Sequence, residues 1–172
     1  MPSPIAHAIA GATAGWLIDP PVREHRGRVA LYASMGIAAD LDLLVGAHSG
    51  PTHGLGAAVI AGVLTWVLLR LRGSSGGVRT ACASAIAYAS HTLLDWLGTD
   101  SSSPIGIMAL WPFSRDYYES SWHVFRAISR LYWLPEFWTF NLSALGRELV
   151  ILVPIALVVL LTRRRPRAPT AA

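Results

Sequence analysis

The stretch VRTACASAIAYASHTLLDWL, residues 78–97, gives the clearest indication of the fold. It is apolar over about the 20 residues that cross a bilayer. Its ionisable side chains are Arg79 near one end and His91 and Asp95 near the other. A spacing of four residues places His91 and Asp95 on one face of a helix. Because ionisable groups in membrane helices are costly and usually mark function, the stretch predicts a membrane-embedded helix with a functional pair near its C-terminal end.

Four further apolar stretches accompany this one along the chain. The five stretches cover residues 5–18, 29–45, 54–71, 78–97 and 149–161. The third and fourth are long enough to span a bilayer, the second is borderline, and the fifth suffices if it begins near residue 142. The first is short enough to be half-embedded. We therefore predict an all-α, membrane-embedded helical bundle with about four transmembrane helices plus one short half-embedded helix, formed by residues 1–172 as a single domain.

The composition agrees with a chain that lies partly in lipid. Of 172 residues, 53% are hydrophobic and 14% are charged, whereas soluble domains carry about 25% charged residues. This balance excludes a disordered tail, a fibrous repeat and a charged coiled coil. The formal net charge is +4, and every basic residue is Arg.

The distribution of Arg predicts the orientation. Most of the 14 Arg fall in three clusters, at residues 23–28, 70–79 and 163–167, and spans that alternate in direction place all three on one side. Positive charge marks the cytoplasmic side. We therefore expect an integral protein of the cytoplasmic (inner) membrane with an Arg/Pro-rich cytoplasmic tail at residues 163–172. The opposite ends of the stretches then face outward.

An aromatic segment follows the fourth stretch. Trp and Tyr of this kind concentrate at the membrane–water interface. The segment predicts a helical cap on the outer surface that controls access to a site beneath it, and the alternative is an ordinary soluble core packed by Trp. Within residues 101–141 the aromatic side chains are Trp111, Trp122, Trp133, Trp138, Tyr117, Tyr118 and Tyr132.

The single cysteine, Cys82, limits the metal chemistry that is available. One thiol forms no intramolecular disulfide, and without a CxxC pair no zinc is held through paired sulfurs. A metal must therefore bind to imidazole nitrogen and carboxylate oxygen. We expect Cys82 itself to be a small buried apolar residue within its Ala/Ser run.

Ionisable residues gather at the ends of the stretches opposite the Arg clusters. Each has an ordinary explanation: a His–Asp hydrogen bond, a solvated loop histidine, a core histidine or a helix cap. Together, neutral imidazoles and carboxylates are the ligand set for Zn²⁺, Mn²⁺ or Fe²⁺, and the cluster predicts a metal site. Its candidates are His7, Asp40, Asp42, His48, His53, His91, Asp95 and Asp100.

These motifs carry a family resemblance over residues 4–113. The motifs are His7, Ala39-Asp40-Leu41-Asp42, His48-x-Gly50-x-Thr52-His53, His91-x-x-x-Asp95 and Leu110-Trp111-Pro112-Phe113. In this order they resemble the inner-membrane metal-dependent hydrolase family (the YdjM-like family), whose members are described as LexA-binding hydrolases. That family is distantly similar to zinc-dependent phospholipase C and P1 nuclease, which are all-α enzymes with a zinc cluster.

The resemblance implies a divalent metal, zinc foremost with manganese or iron as alternatives, and room for two or more ions. The metal ligands that it implies are His7, Asp40, His53, His91 and Asp95. Asp42 and His48 are the implied catalytic residues. Asp42 bridges ions, orients a histidine or acts as a base, and His48 ligates metal or donates to phosphate.

The sequence departs from the family pattern at three positions without losing a ligand. Ala39, Ser49 and Gly54 stand where the family has Pro, Arg and often Ser, and Ser49 lacks the charge with which that Arg would contact phosphate. The further His and Glu ligands of the phospholipase C type have candidates by residue type alone. These are His123, Glu119 and Glu148.

The function expected from this pattern is metal-dependent hydrolysis of a phosphoester by a membrane-bound enzyme. A site at the membrane surface favours membrane lipid as a neighbour and a lipid or lipid-linked substrate. The alternatives are a non-catalytic, metal-stabilised scaffold or receptor and an ion transporter, although transporter sites lie near the membrane midplane. We expect no direct nucleic-acid binding, and nothing in the sequence identifies a protein partner.

Overall fold

The computed structural model describes residues 1–20, 27–45, 48–74, 77–101 and 103–163. Two 3-10 segments, Ala38–Val45 and Pro51–His53, lie between the second and third helices. The helices are α1 (Pro4–Ile18), α2 (Gly27–Ile37), α3 (Leu55–Leu71), α4 (Gly77–Leu97) and α5 (Phe137–Arg163). The predicted all-α class is confirmed for these residues. Several residues used for the orientation lie outside the described ranges, namely Arg23, Arg26 and the tail beyond Arg163.

α4 is the central helix of the bundle. It packs against α1, α2 and α3, whereas α5 packs mainly against α1. Many buried residues of α4 are small, including Ala81, Ala83, Ser84 and Ala87. Small side chains let three neighbouring helices approach the same helix closely, so α4 becomes the common wall on which the site is built.

α1 and α2 cross with their backbones in contact. A Cβ atom on Gly36 would lie 2.2 Å from the carbonyl oxygen of His7, and one on Gly11 would lie 2.5 Å from the carbonyl oxygen of Tyr32. No side chain fits at either crossing position. The two glycines therefore fix how deeply α1 sits against α2, and with it the position of His7.

Asp19 anchors the C-terminal end of α1, the end away from His7. Its buried carboxylate accepts hydrogen bonds from Arg28 Nη1 at 2.9 and 3.0 Å, from Tyr32 Oη at 2.7 Å and from Thr80 Oγ1 at 2.9 Å. These donors come from α2 and α4. Because charge-assisted hydrogen bonds satisfy both carboxylate oxygens, this end of α1 is joined to both neighbours.

The prediction of four spanning helices is not supported. In the described part of the chain, α5 alone is long and apolar enough to cross a membrane, and 17% of its most apolar window is buried inside the protein. α1 and α3 have 15 and 17 residues, which rise about 22 and 26 Å, short of a hydrocarbon core of about 30 Å. α4 has the length, but its Ser, Thr, His and Asp side chains lower its hydropathy. The second stretch changes to a 3-10 segment at Ala38.

The aromatic cap is not helical, contrary to the prediction. Between α4 and α5 the described residues form turns, bends and two isolated bridges, Gly98 with Phe125 and Ile107 with Tyr118. Pro104, Pro112 and Pro135 interrupt any helix in this segment. Four of its seven Trp and Tyr side chains, Trp122, Tyr132, Trp133 and Trp138, are nevertheless exposed, as an interfacial position requires.

The prediction that Cys82 is buried is wrong, because its side chain is exposed. It lies in an apolar groove between α3 and α4 that is also lined by Val59 and Trp66. α4 turns its other side toward α1 and α2, so the Ala/Ser run is buried only on that side.

The fold provides a test of the expected orientation. Ser121 is exposed and lies near the C-terminal end of α4, since Ser120 donates its N–H to the carbonyl oxygen of Trp96. Arg72 is exposed in the turn after α3, at the other end of the bundle. In a Cys82→Ser background, a membrane-impermeant maleimide applied to intact cells should label Ser121→Cys and spare Arg72→Cys. Labelling of Arg72→Cys alone would show that the orientation is opposite to the expected one.

Candidate metal centre

The five ligands that the resemblance implies lie together at one end of the bundle. His7 is in the first turns of α1, Asp40 is in the 3-10 segment after α2, and His53 ends the next 3-10 segment. His91 and Asp95 lie in the last two turns of α4. Four separate elements therefore contribute to one cluster.

Asp95 is the centre of this cluster. Its Oδ2 atom lies 3.0 Å from His91 Nε2 and 3.4 Å from His53 Nε2, and its Oδ1 atom lies 3.3 Å from His7 Nε2. The imidazole rings of His7 and His91 are stacked with their centroids 3.8 Å apart. All four side chains are at most 1% exposed. A buried carboxylate is thus surrounded by three imidazoles.

Asp40 closes the cluster on the side that is open to solvent. Its Oδ1 atom lies 3.7 Å from His91 Nε2 and 3.8 Å from His53 Nε2, and its side chain is 17% exposed. Burial by itself would raise the pKa of Asp40, but the neighbouring imidazoles of His53, His91 and His7 outweigh this and lower it. Asp40 therefore carries its charge at neutral pH.

Several buried atoms at the centre of the cluster have no hydrogen-bond partner. They are His7 Nδ1 and Nε2, His53 Nε2, His91 Nε2 and both carboxylate oxygens of Asp95. The short nitrogen–oxygen distances around Asp95 lack hydrogen-bond geometry. Leaving one buried polar atom unsatisfied costs about 1–3 kcal/mol, and native proteins seldom tolerate a group of them. Such a set of convergent donor atoms is typical of a metal site.

Hydrogen bonds outside the cluster fix the ring tautomers. Nδ1 of His91 donates to the carbonyl oxygen of Gly36 at 2.8 Å. Nδ1 of His53 donates to Thr52 Oγ1 at 3.2 Å, and Thr52 Oγ1 in turn donates to Asp42 Oδ2 at 2.7 Å. Metal-binding imidazoles use their other nitrogen in this way. With Nδ1 protonated, Nε2 of both histidines presents a lone pair to the centre of the cluster.

His48 lies beside the cluster and is engaged at both nitrogens. Nδ1 lies 3.2 Å from Asp42 Oδ1, and Nε2 accepts a hydrogen bond from Arg130 Nη2 at 3.1 Å. Asp42 therefore orients His48 directly through Oδ1, and it orients His53 through the Thr52 hydroxyl that donates to Oδ2. Of the three roles considered for Asp42, the geometry matches the orientation of histidines.

The donor set fits a divalent metal. The ligand atoms of His7, His91 and Asp95 lie within 4.8 Å of one another, as do those of Asp40, His48 and His53. A tetrahedral ion with bonds of about 2.0–2.1 Å separates neighbouring ligand atoms by about 3.3 Å, and the distances around Asp95 are 3.0–3.4 Å. In the second group both nitrogens of His48 already have partners, Asp42 and Arg130. Asp40 and His53 are therefore the members of that group that remain available to bind a metal.

Comparison with known families decides the membership of this chain. The model of the YdjM inner membrane protein family matches residues 1–167. The chain belongs to this family. Family membership supports a location in the inner membrane, in agreement with the long apolar helix α5. No curated protein and no solved structure matches the chain.

The remaining candidates lie outside the cluster that this family member forms. Asp100 accepts a hydrogen bond from the Gly106 N–H, and Glu119 accepts one from the Asp100 N–H. His123 is half exposed, 3.7 Å from Glu119. Glu148 is fully buried on α5 and accepts hydrogen bonds from the N–H and the hydroxyl of Ser3. Ser3 in turn caps α1, so Glu148 supports the helix that carries His7.

Two contacts at the site were missed by the sequence analysis. Gly36 supplies the carbonyl oxygen for His91, and Arg130 supplies the donor to His48. A glycine within an apolar stretch is a signal for close backbone approach, whereas no local pattern connects Arg130 with His48, which is 82 residues away.

We predict that Gly36→Ala disrupts the metal centre through α1. The new Cβ would lie 2.2 Å from the His7 carbonyl oxygen, so α1 must move and His7 with it. We expect a loss of bound metal and a destabilisation of about 1–3 kcal/mol, typical of overpacking, measured by elemental analysis and thermal unfolding in detergent. Gly146→Ala in α5 is the matched control, since nothing lies within 4 Å of its Cβ position. Normal metal content in Gly36→Ala would contradict the prediction.

Proposed function

We propose that this protein is a membrane-bound, metal-dependent hydrolase that acts on a phosphoester. The observation that carries the proposal is the set of buried, unpartnered donor atoms around Asp95, which opens on one side through Asp40. A metal that only stabilised the fold would be enclosed by its ligands, whereas catalytic sites keep an open position.

The open side leads into a cavity large enough for a substrate. The cavity has a volume of about 850 Å³, and Asp40 and His48 both line it. Binding sites for small molecules have volumes of about 300–1,000 Å³. Its other walls come from the N-terminal residues and from the segment that precedes α5. A molecule in this cavity therefore meets the metal centre at Asp40.

In the proposed reaction, His7, His53, His91, Asp95 and Asp40 would hold a pair of divalent ions between them, so that an open position remains. Once bound, the metal supplies the charge that polarises a phosphoester oxygen and acidifies water. Asp42 keeps the Nδ1 protons of His53 and His48 in place, so that Nε2 of His48 is the acceptor that faces the cavity. Nε2 accepts a hydrogen bond from Arg130, so His48 takes up a proton during the attack of water once Arg130 has turned to the substrate, and it returns that proton to the leaving group.

The surroundings of the site support a substrate that belongs to the membrane. The chain belongs to an inner membrane protein family, and exposed apolar side chains lie next to the site, among them Leu41, Leu43 and Leu44. We infer a lipid or lipid-linked phosphoester as the substrate and an outward-facing site. The cluster lies at the ends of helices, which favours an enzyme over a transporter with ligands near the midplane.

Zinc is the metal that we propose, because nitrogen and oxygen donors at these distances suit it. We predict that purified protein contains bound metal and hydrolyses bis(p-nitrophenyl) phosphate. His91→Ala removes a ligand, and Asp95→Asn removes the central charge without changing the side-chain size, so each should lose most of the metal and all hydrolysis. Elemental analysis and a colorimetric assay, both in detergent, measure the two quantities.

Matched controls are available for both substitutions. His123→Ala and Asp116→Asn change an exposed histidine and an exposed aspartate away from the cluster, and they should retain metal and activity. If His91→Ala and Asp95→Asn keep their metal and lose only about 1–3 kcal/mol of stability, typical of a lost buried hydrogen bond, the metal-centre assignment is wrong. Full metal content without hydrolysis of any phosphoester would favour the scaffold.

Asp42 is predicted to act through His53 rather than as a ligand. Asp42→Asn keeps an oxygen for Thr52 but weakens the hold on two imidazoles, and loss of such an orienting partner lowers metal affinity about 10–100-fold. Competition with a chelator measures this affinity. Asp42→Asn should therefore bind metal more weakly than the wild-type protein but more tightly than Asp95→Asn. Equal losses in the two variants would make Asp42 a ligand.

A further inference from the structure

We propose that Arg126 and Arg130 form the recognition site for the phosphate headgroup of an amphiphile whose apolar chains lie along Leu43, Leu131 and Phe140. The proposal deepens the proposed function, since it names the substrate class for the same cavity. It depends on the proposed function in one respect: the headgroup is taken to point toward the metal centre.

Both guanidinium groups line the cavity next to the metal centre. Nη2 of Arg130 is 3.1 Å from His48 Nε2, and Nη1 of Arg126 is 3.4 Å from Ser143 Oγ. Within the described ranges, no carboxylate lies within 4.0 Å of either group, whereas Arg28 and Arg79 are both paired with Asp19. Two unpaired guanidinium groups at one cavity are suited to bind phosphate, which they can contact with two hydrogen bonds each.

The carboxylates that line the same cavity in the described residues form no ion pair with Arg126 or Arg130 within 4.0 Å. These carboxylates belong to Asp40 and Asp100. Asp40 faces the imidazoles of His53 and His91, and Asp100 accepts a hydrogen bond from the Gly106 N–H. Asp40 is a proposed metal ligand, so its charge is directed to the metal centre. The guanidinium groups are left to receive an incoming anion.

The backbone before Arg130 is held in place before any ligand binds. Ser129 donates its N–H to Asn141 Oδ1 at 2.7 Å, and Asn141 Nδ2 donates to the Ser129 carbonyl oxygen at 3.0 Å. The Ile128 N–H donates to the carbonyl oxygen of Met1 at 3.1 Å. An anchored backbone lowers the entropy that is lost when Arg130 orders around a ligand. This segment is a pre-formed wall of the cavity.

Much of the remaining lining of the cavity is apolar, which argues for an amphiphile over a free anion. Leu43, Leu131 and Phe140 line it and are 41%, 44% and 45% exposed. Exposed apolar side chains beside two guanidinium groups offer one ligand both a hydrophobic and an ionic contact. A phospholipid-like molecule with its phosphate between Arg126 and Arg130 can place its apolar chains against the apolar part of the lining.

The test is calorimetric binding to the full-length protein in a neutral detergent. The probes are dihexanoyl phosphatidic acid, inorganic phosphate and the uncharged dihexanoyl glycerol. We expect saturable binding of phosphatidic acid, at least about tenfold weaker binding of each other probe, and a loss of about tenfold for Arg130→Gln, as expected for a charge-assisted hydrogen bond. Arg126→Gln should lose affinity as well.

Two further variants separate the walls of the site. Arg147→Gln is the matched control, because Arg147 is exposed and lies outside the cavity, and it should bind phosphatidic acid normally. Phe140→Ala should weaken the binding of phosphatidic acid and leave the binding of inorganic phosphate unchanged. Circular dichroism and gel filtration confirm that each variant is folded before its titration is compared.

Three outcomes would overturn the proposal. They are unchanged affinity in both Arg126→Gln and Arg130→Gln, an equal loss in Arg147→Gln, and inorganic phosphate binding as tightly as phosphatidic acid. Titrations on chelator-treated protein keep the test independent of the proposed function. Arg-dependent binding without hydrolysis would support this site and refute the hydrolase, whereas metal-dependent hydrolysis with Arg-independent binding would do the reverse.

Discussion

Burial of the Asp95 carboxylate among three imidazoles governs how the helices of this protein are arranged. A carboxylate with no exposed side-chain surface is strongly disfavoured unless positive charge or a metal faces it. In the described residues its partners are His7, His53 and His91, from three different parts of the chain. The bundle is therefore organised around a point where charge must be compensated, and the small residues of α4 bring the surrounding elements close enough to do so.

Gly36 converts this electrostatic requirement into a geometric one. Because Gly36 has no side chain, the His7 carbonyl oxygen can approach it closely. The carbonyl oxygen of Gly36 accepts a hydrogen bond from Nδ1 of His91. One residue of α2 thus sets the depth of α1 and the tautomer of a histidine on α4. Because the peptide group is rigid, both contacts are coupled: a shift of Gly36 that relieved one would disturb the other. This coupling explains why the packing of the helices and the chemistry of the site cannot be separated.

Local patterns predicted the elements whose causes are local. The stretches at residues 5–18, 54–71 and 78–97 agree with α1, α3 and α4, and the spacing of His91 and Asp95 placed them correctly on one helix face. Sequence could not show that α2 ends at Ile37, since the following Ala38 and Ala39 are good helix formers and the 3-10 turn serves to bring Asp40 to His53. The span count failed because α1 and α3 are too short, the second stretch changes to a 3-10 segment, and the polar residues that α4 turns toward other helices lower its hydropathy.

α5 connects the membrane to both sides of the site. It is the helix in the described part of the chain that meets the requirements for spanning a bilayer. Glu148 on this helix holds Ser3 at the start of α1, and Asn141 holds the backbone of Ser129 beside Arg130. These two residues are two helical turns apart, so the same face of α5 positions the helix that carries His7 and the wall that carries the guanidinium groups. The helix that meets the length and hydropathy requirements for a span is therefore joined directly to the walls of the cavity. The proposed lipid substrate would need this relation, because its headgroup would have to reach the proposed metal centre while its chains remain in an apolar environment.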